Sequence, residues 1–259
     1  MELVEAPHSF TPGDNRVDVD CIVNMVPFIR GVRAALHFAD KKDDSNTFNG
    51  VRLTPFADRM VISAANPLSM FATSAQFHTD PGVDCGVVDV PLWMAKHVVS
   101  LYGSSSDPEA ILWIRARKST VCFRDQTGLF PGDIHQWDRH EFSESAPDVP
   151  AALTRIFEQP RWEPDFLVTT DNETHRVCQV QKIFSSPAVV DCTRTHARYR
   201  VGTSAKIAVI LPEEMRQESL DLDEEPSDND DQDDEESSQP EDRAQRVRVV
   251  RAQPRGGAV

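Results

Sequence analysis

The chain has 259 residues, with 42 Asp and Glu against 27 Lys and Arg, and a formal net charge of −15. Acidity of that size excludes a protein that coats nucleic acid or an anionic membrane with its whole surface. The excess is unevenly placed: residues 221 to 242 hold thirteen acidic side chains and no base, and residues 243 to 259 hold five arginines and no acid. The first 220 residues then carry −7 together with most of the hydrophobic side chains, so only they can build a core.

No stretch approaches the roughly 20 uncharged apolar residues of a membrane span, and Met1-Glu2-Leu3-Val4-Glu5 lacks the basic and apolar regions of a signal peptide. A soluble, cytoplasmic protein without a membrane partner is expected. Its five cysteines, Cys21, Cys85, Cys122, Cys178 and Cys192, are odd in number, widely spaced and without a CxxC pair, which favours free thiols in a reducing compartment.

After a polar leader, Pro27 opens an amphipathic helix over Phe28 to Asp40. Phe28, Ile29, Val32, Ala35 and Leu36 fall on one side and Arg30, Arg33 and His37 on the other. Lys41 to Asn49 reads as a loop, and Gly50–Leu53 and Arg59–Ser63 as strands joined by a turn around Ala57-Asp58. Met70–Phe77 and Cys85–Val90 extend a β-meander. Asp89-Val90-Pro91 then supplies start signals for a helix over Leu92 to Tyr102, with Met94, Val98, Val99, Leu101 and Tyr102 on its apolar face and Trp93, Lys96, His97 and Ser100 opposite. Gly103 and the Ser/Pro cluster behind it end that helix. Ile111–Arg115 and Thr120–Arg124 read as a hairpin.

Ser143 to Pro150 reads as a boundary, which divides the chain into a first unit (1–145), a shorter second unit (146–212) and a tail (213–259). The second unit is expected to contain a short helix (Ala151–Glu158), a strand (Phe166–Thr170) and a helix (Asn172–Phe184) with His175, Gln179 and Lys182 on its polar side. Two closing strands follow, Ala188–Cys192 and Arg198–Leu211. It reads as a shorter echo of the first unit, without a repeat at the level of residues.

The first unit resembles the sliding clamps of replicative DNA polymerases, particularly the bacterial β-clamp type. The resemblance rests on the helix Phe28-Ile29-Arg30-Gly31-Val32-Arg33-Ala34-Ala35-Leu36, the strand Phe48-Asn49-Gly50-Val51-Arg52-Leu53 and the run Arg59-Met60-Val61-Ile62-Ser63-Ala64-Ala65-Asn66. Val88 to Lys96 is similar to the start of the family's second helix, and Gly202 to Pro212 to its closing strand. The likeness covers residues 20 to 130, and 165 to 212 more faintly. It implies an α+β, DNA-clamp-like fold, with curved antiparallel sheets carrying pairs of helices on one face. It further implies a closed ring of six such domains whose helices line a hole for double-stranded DNA. The function implied is that of a non-enzymatic processivity factor of a bacteriophage-type replication system, acting in the bacterial host cytoplasm. A homotrimer is expected from two domains per chain, and DNA polymerase and clamp loader are the implied partners.

A tether that slides needs cations that hold phosphates through water and screening without reading base edges. Arg30, Arg33, His37 and Lys41 on the first helix, Lys96 and His97 on the second, and His175 and Lys182 on the last are the candidate DNA-facing residues. Trp93 is a candidate DNA or subunit contact.

Residues 213 to 259 have too few large hydrophobic side chains to offset the entropy of ordering, so a disordered tail is expected. Its start, Gln217-Glu218-Ser219-Leu220-Asp221-Leu222, resembles the clamp-binding motif of bacterial replication proteins, with Gln217, Leu220 and Leu222 as anchors. That motif supports an alternative function: an interaction protein that binds a host sliding clamp and recruits or inhibits it. The acidic run reads either as a solvating tail or as a mimic of DNA, and the arginines behind it either fold back on the acids or touch phosphate.

No phosphate-binding, dinucleotide-binding, nucleophile-elbow or zinc-protease motif occurs, so no enzymatic activity and no cofactor are expected. His135 with His140, and His175 with Cys178, belong to no four-ligand pattern, and no metal is expected.

Overall fold

The alternation Val19, Cys21, Val23 against Asp20 and Ile22 makes a strand, β1 (Val17–Asn24), of the stretch whose composition suggests a polar leader. The computed structural model describes residues 17–39, 50–56, 58–79, 86–117, 119–129, 131–138, 148–163, 167–212 and 246–247. β1 runs directly into α1 (Met25–Ala35), which begins two residues before Pro27. The proline therefore stands in the first turn, where its missing N–H breaks no helical bond. The helix is shorter than its periodicity suggests, and Asp40 lies outside the described residues.

A three-strand meander follows: β2 (Gly50–Phe56), β3 (Arg59–Asn66) and β4 (Ser69–Thr79). Buried Asn66 shapes the β3–β4 turn. Its Oδ1 accepts from the Leu68 and Ser69 amides, and its Nδ2 donates to Ser69 Oγ and to the Phe38 carbonyl at the end of α1.

The pattern then repeats. β5 (Val88–Pro91) leads into α2 (Leu92–Tyr102) and the meander β6 (Ile111–Arg117), β7 (Thr120–Asp125) and β8 (Ile134–Asp138). After α3 (Val149–Glu158) the same order returns as β9 (Leu167–Val168), α4 (Asp171–Phe184), β10 (Ala188–Cys192), β11 (His196–Val201) and β12 (Ala205–Ile210). The stretch expected as one strand from Arg198 to Leu211 is a hairpin, turned by Gly202 at φ +60°, a conformation that favours glycine. Three strand-helix-meander units thus stand among the described residues, two before α3 and one after it.

The first two units exchange strands. β1 of the first pairs with β6 of the second, and β5 of the second pairs with β2 of the first, both antiparallel. Each crossing carries an Asp–Arg ion pair between residues opposed in register. Asp20 accepts from Arg115 and from the Trp113 indole N–H at 2.7 Å, and Asp89 accepts from both Arg52 nitrogens at 2.7 and 2.9 Å. The hydrogen bonds that Arg52 donates to Asp89 raise the Arg52 pKa further. Asp20 lies five residues before α1 and Asp89 three before α2, so the two pairs are alike in kind without being aligned residue for residue. Asp20→Ala and Asp89→Ala are each expected to cost about 1 kcal/mol, since both pairs are partly exposed, and to add nearly independently in urea unfolding.

The third unit joins the first through β12, which lies antiparallel beside residues 69–72 of β4. Eleven strands form one antiparallel sheet, ordered β10-β11-β12-β4-β1-β6-β7-β8 with β3, β2 and β5 branching from β4. Register assigns each helix to a face. Ile62, Thr73, Phe71 and Ile207 are aligned neighbours on one face, where α1, α2 and α4 pack with Phe28, Val32, Met94, Val98, Val177 and Val180. Ala65, Ala72 and Ala208 point the other way, and α3 covers them with Val149, Leu153 and Ile156, spaced i, i+4, i+7. Asp148 caps α3 by accepting from the Ala151 amide at 3.1 Å.

Cys21, Cys122 and Cys192 are buried and Cys178 is exposed. Burial, then the neighbouring Asp191, pushes the Cys192 thiol up to about 11. No helix among the described residues is long and apolar enough to cross a membrane.

Candidate nucleic-acid interface

Because α2, α1 and α4 lie on one face of the sheet with α1 touching both neighbours, their outward sides form one surface. Helical periodicity decides what that surface displays. The residues of α1 and α2 that turn from the core are Arg30, Arg33, Trp93, Lys96, His97, Ser100 and Leu101, the last against its expected place on the apolar face, and neither helix contains an acid. α4 adds exposed His175 and Lys182, with Asp171 at its opposite end. Its two other charges neutralise each other inside: buried Glu173 pairs with Arg176, which also donates to Ser69 Oγ at the β3–β4 turn.

The candidate residues are not equivalent. Arg30 and Lys96 project freely from the middle of their helices, whereas Arg33 Nη2 donates to the Gly103 carbonyl at 3.1 Å, bonding the C-terminal end of α2 to α1. Arg33 therefore positions α2 as well as adding charge. His37 is half-buried at the end of α1. His97 sits edge-on to the exposed Trp93 ring at 6.0 Å, and His175 Nε2 lies 3.1 Å from Gln179 Nε2. Lys41 lies outside the described residues, as do Gln217, Leu220 and Leu222 of the tail motif, and His140.

Arg59 was not among the candidates. The β4 edge opposite β3 changes partner along its length, from β12 at residues 69–72 to β1 at residues 77–79. A cleft of about 590 Å³ opens at that change, lined by Arg30, Arg59, Ser74, Ser186, Thr203 and Ser204. Two guanidinium groups and four hydroxyls there make a polar, cationic recess beside α1, moderated by Asp58, 3.6 Å from Arg59. In the sequence Arg59 is only the first residue of a strand, and nothing there signals its place beside Arg30. Among the described residues no group of three or more His, Cys, Asp or Glu is placed to hold a metal ion.

No family model matches the sequence, and no curated protein matches it. Solved structures do match. The DNA polymerase III subunit beta from Borrelia burgdorferi, solved in complex with a natural product, is similar at 9% identity over 79% of this chain and 67% of that one, with a TM-score of 0.53. A DNA polymerase sliding clamp from Caulobacter crescentus is similar at 11% identity over 76% and 68%, with a TM-score of 0.48. The chain spans about two thirds of the length of these structures. Identities this low speak for the fold alone, and the Borrelia likeness establishes it: the chain has the α+β sliding-clamp fold. Its helix α3, on the sheet face opposite the other three helices, is an addition to the helix arrangement expected from sequence.

Proposed function

We propose that the protein is a non-enzymatic, sliding-clamp-like processivity factor that encircles duplex DNA as an oligomeric ring and holds a DNA polymerase on its template. One observation carries this reading: on a clamp fold, the shared outer surface of α2, α1 and α4 presents Arg30, Arg33, Lys96 and Lys182, and α1 and α2 hold no acid. Cations without an array of base-reading side chains attract phosphates and let the duplex slide. An acidic body with one basic layer focuses DNA onto that layer. Polymerase and loader are the partners this role requires.

Two domains per chain in a ring of six gives a trimer. Light scattering is expected to show three copies, and a protein that stays monomeric on primed DNA overturns the ring. The DNA contact is tested with Arg30→Glu and Lys96→Glu together, leaving Arg33 to hold α2. Wild-type protein is expected to be retained on nicked circular DNA and lost from linear DNA with free ends. The variant is expected to lose retention, with a shallower dependence of binding on salt by up to about two counterions. Equal retention of both proteins at all salt concentrations overturns the contact.

A further inference from the structure

The third unit is half of a pair. In the first two units the strand that precedes the helix finds its ladder partner in the other unit: β1 with β6, β5 with β2. Among the described residues no fourth unit pairs with β9. Its partner is instead β13 (Arg246–Val247), from the arginine-rich end of the chain, with Arg246 opposite Val168 and Val247 opposite Leu167 in antiparallel register.

The substitution is a close one in geometry. Val168 stands three residues before the first residue of α4, as Asp89 stands three before the first of α2, and each lies opposite an arginine, Arg246 and Arg52 respectively. The sequence around β13, Arg246-Val247-Arg248-Val249, alternates charged and β-branched residues, the pattern of a strand with one apolar side. The rest of the third unit is finished in the same manner. Trp162 bridges Cys192 at the end of β10, donating its amide to the Cys192 carbonyl at 2.8 Å. α4 turns exposed Asn172, His175 and Lys182 outward where an apolar stripe would be needed to receive another helix.

We infer that β9 is a strand-addition site and that the C-terminal segment around Arg246-Val247 is its occupant within the same chain, standing in for the strand a fourth unit would supply. Pairing through backbone groups satisfies donors and acceptors on β9 that an open edge would leave as a template for other chains. With the cap in place, a second copy can pair with that edge of β9 only by displacing it. This inference rests on strand pairing alone and is independent of DNA binding.

The test uses the full chain carrying Val168→Cys and Arg246→Cys, with Cys178→Ser to remove an exposed native thiol. Residues opposed in an antiparallel ladder have Cα atoms about 4.5–5.5 Å apart, within the reach of a disulfide. Mild oxidation is expected to join residues 168 and 246 inside one chain, identified by mass spectrometry, in a yield that does not change with protein concentration. Absence of the bridge, or its appearance only in covalent dimers that grow with concentration, overturns the inference. In parallel, a chain ending at Asp242 is expected to exchange the β9 amide that faces β13 about tenfold faster or more than the full chain. Exchange that is unchanged overturns it too.

Discussion

Arg198→Met is expected to lower stability by about 3 kcal/mol, because it removes one partner of a buried charge network and leaves the rest in place. The arginine is 3% exposed on β11, on the sheet face that α3 covers. Its Nε donates to Asp191 on β10, and its Nη1 reaches the carbonyls of Ile156, Phe157 and Gln159 at 3.1, 3.3 and 2.9 Å. Those carbonyls belong to the last turn of α3, where helical partners have run out, so one guanidinium closes the helix and fixes it to the sheet. Phe157 lies under the same cations, with Arg198 and Arg200 5.8 and 4.8 Å from its ring centre. Methionine replaces the stem but none of the donors. Arg200 still pairs with Asp191 at 3.1 Å, which keeps the cost near the low end of the range for broken buried pairs. Thermal unfolding is expected to shift down by roughly 6–12 °C. Lysine at 198 is expected to recover little, since it lacks the planar fork that serves Asp191 and the helix end together. A shift below a degree would mean that α3 is held by Val149, Leu153 and Ile156 alone.

The helices were the legible part of the fold, and the reason is periodicity. Leu92 to Tyr102 is read from the sequence and found with the same ends, because Pro91 and Gly103 punctuate an apolar stripe that no tertiary contact needs to override. β1 escapes the same treatment. Asp20 gives its segment the look of a solvated leader, and only register discloses that the acid is matched by Arg115 and Trp113 on the neighbouring strand. The strand exchange between units is hidden for the same reason, since Asp20–Arg115 and Asp89–Arg52 are separated by 95 and 37 residues. α3 shows the limit from the other side. Its stripe of Val149, Leu153 and Ile156 says that one side is buried but not against which face of the sheet.

The candidate interface divides along the same line. Which cations leave the helix surface follows from a 3.6-residue period, so Arg30, Lys96 and Lys182 are exposed as the sequence suggests. Which of them hold the structure together does not follow, because the Arg33 bond to Gly103 spans 70 residues and depends on how two helices cross. Arg59 joins Arg30 at a cleft that exists only because one edge of β4 has two successive partners.

That two-partner strand also sets how closely α1 must approach the sheet, and Gly31→Val tests it. A Cβ on Gly31 would stand 2.6 Å from Ile62 Cδ1 on β3 and 2.8 Å from Thr73 Cγ2 on β4, both inside van der Waals contact. Glycine in mid-helix ordinarily costs about 1 kcal/mol relative to alanine, so its presence here reflects the need for space rather than local preference. Ile62 can withdraw its terminal methyl by changing rotamer, but Thr73 is β-branched, stiff, and bonded through Oγ1 to Ser204 Oγ at 3.0 Å across the β4–β12 seam. Relief at Thr73 therefore strains the contact between the first and third units. Valine at 31 is expected to destabilise by about 2–3 kcal/mol, as overpacked cores do, and alanine by less because its helix propensity offsets part of the clash. Combining Gly31→Ala with Ile62→Val should recover part of the loss, a coupling of about 0.5–1 kcal/mol in a double-mutant cycle by urea unfolding, since the pair would be in direct contact. Additivity of the two changes would show that α1 yields by moving off the sheet, and with it Arg30 and Arg33 would move relative to α2.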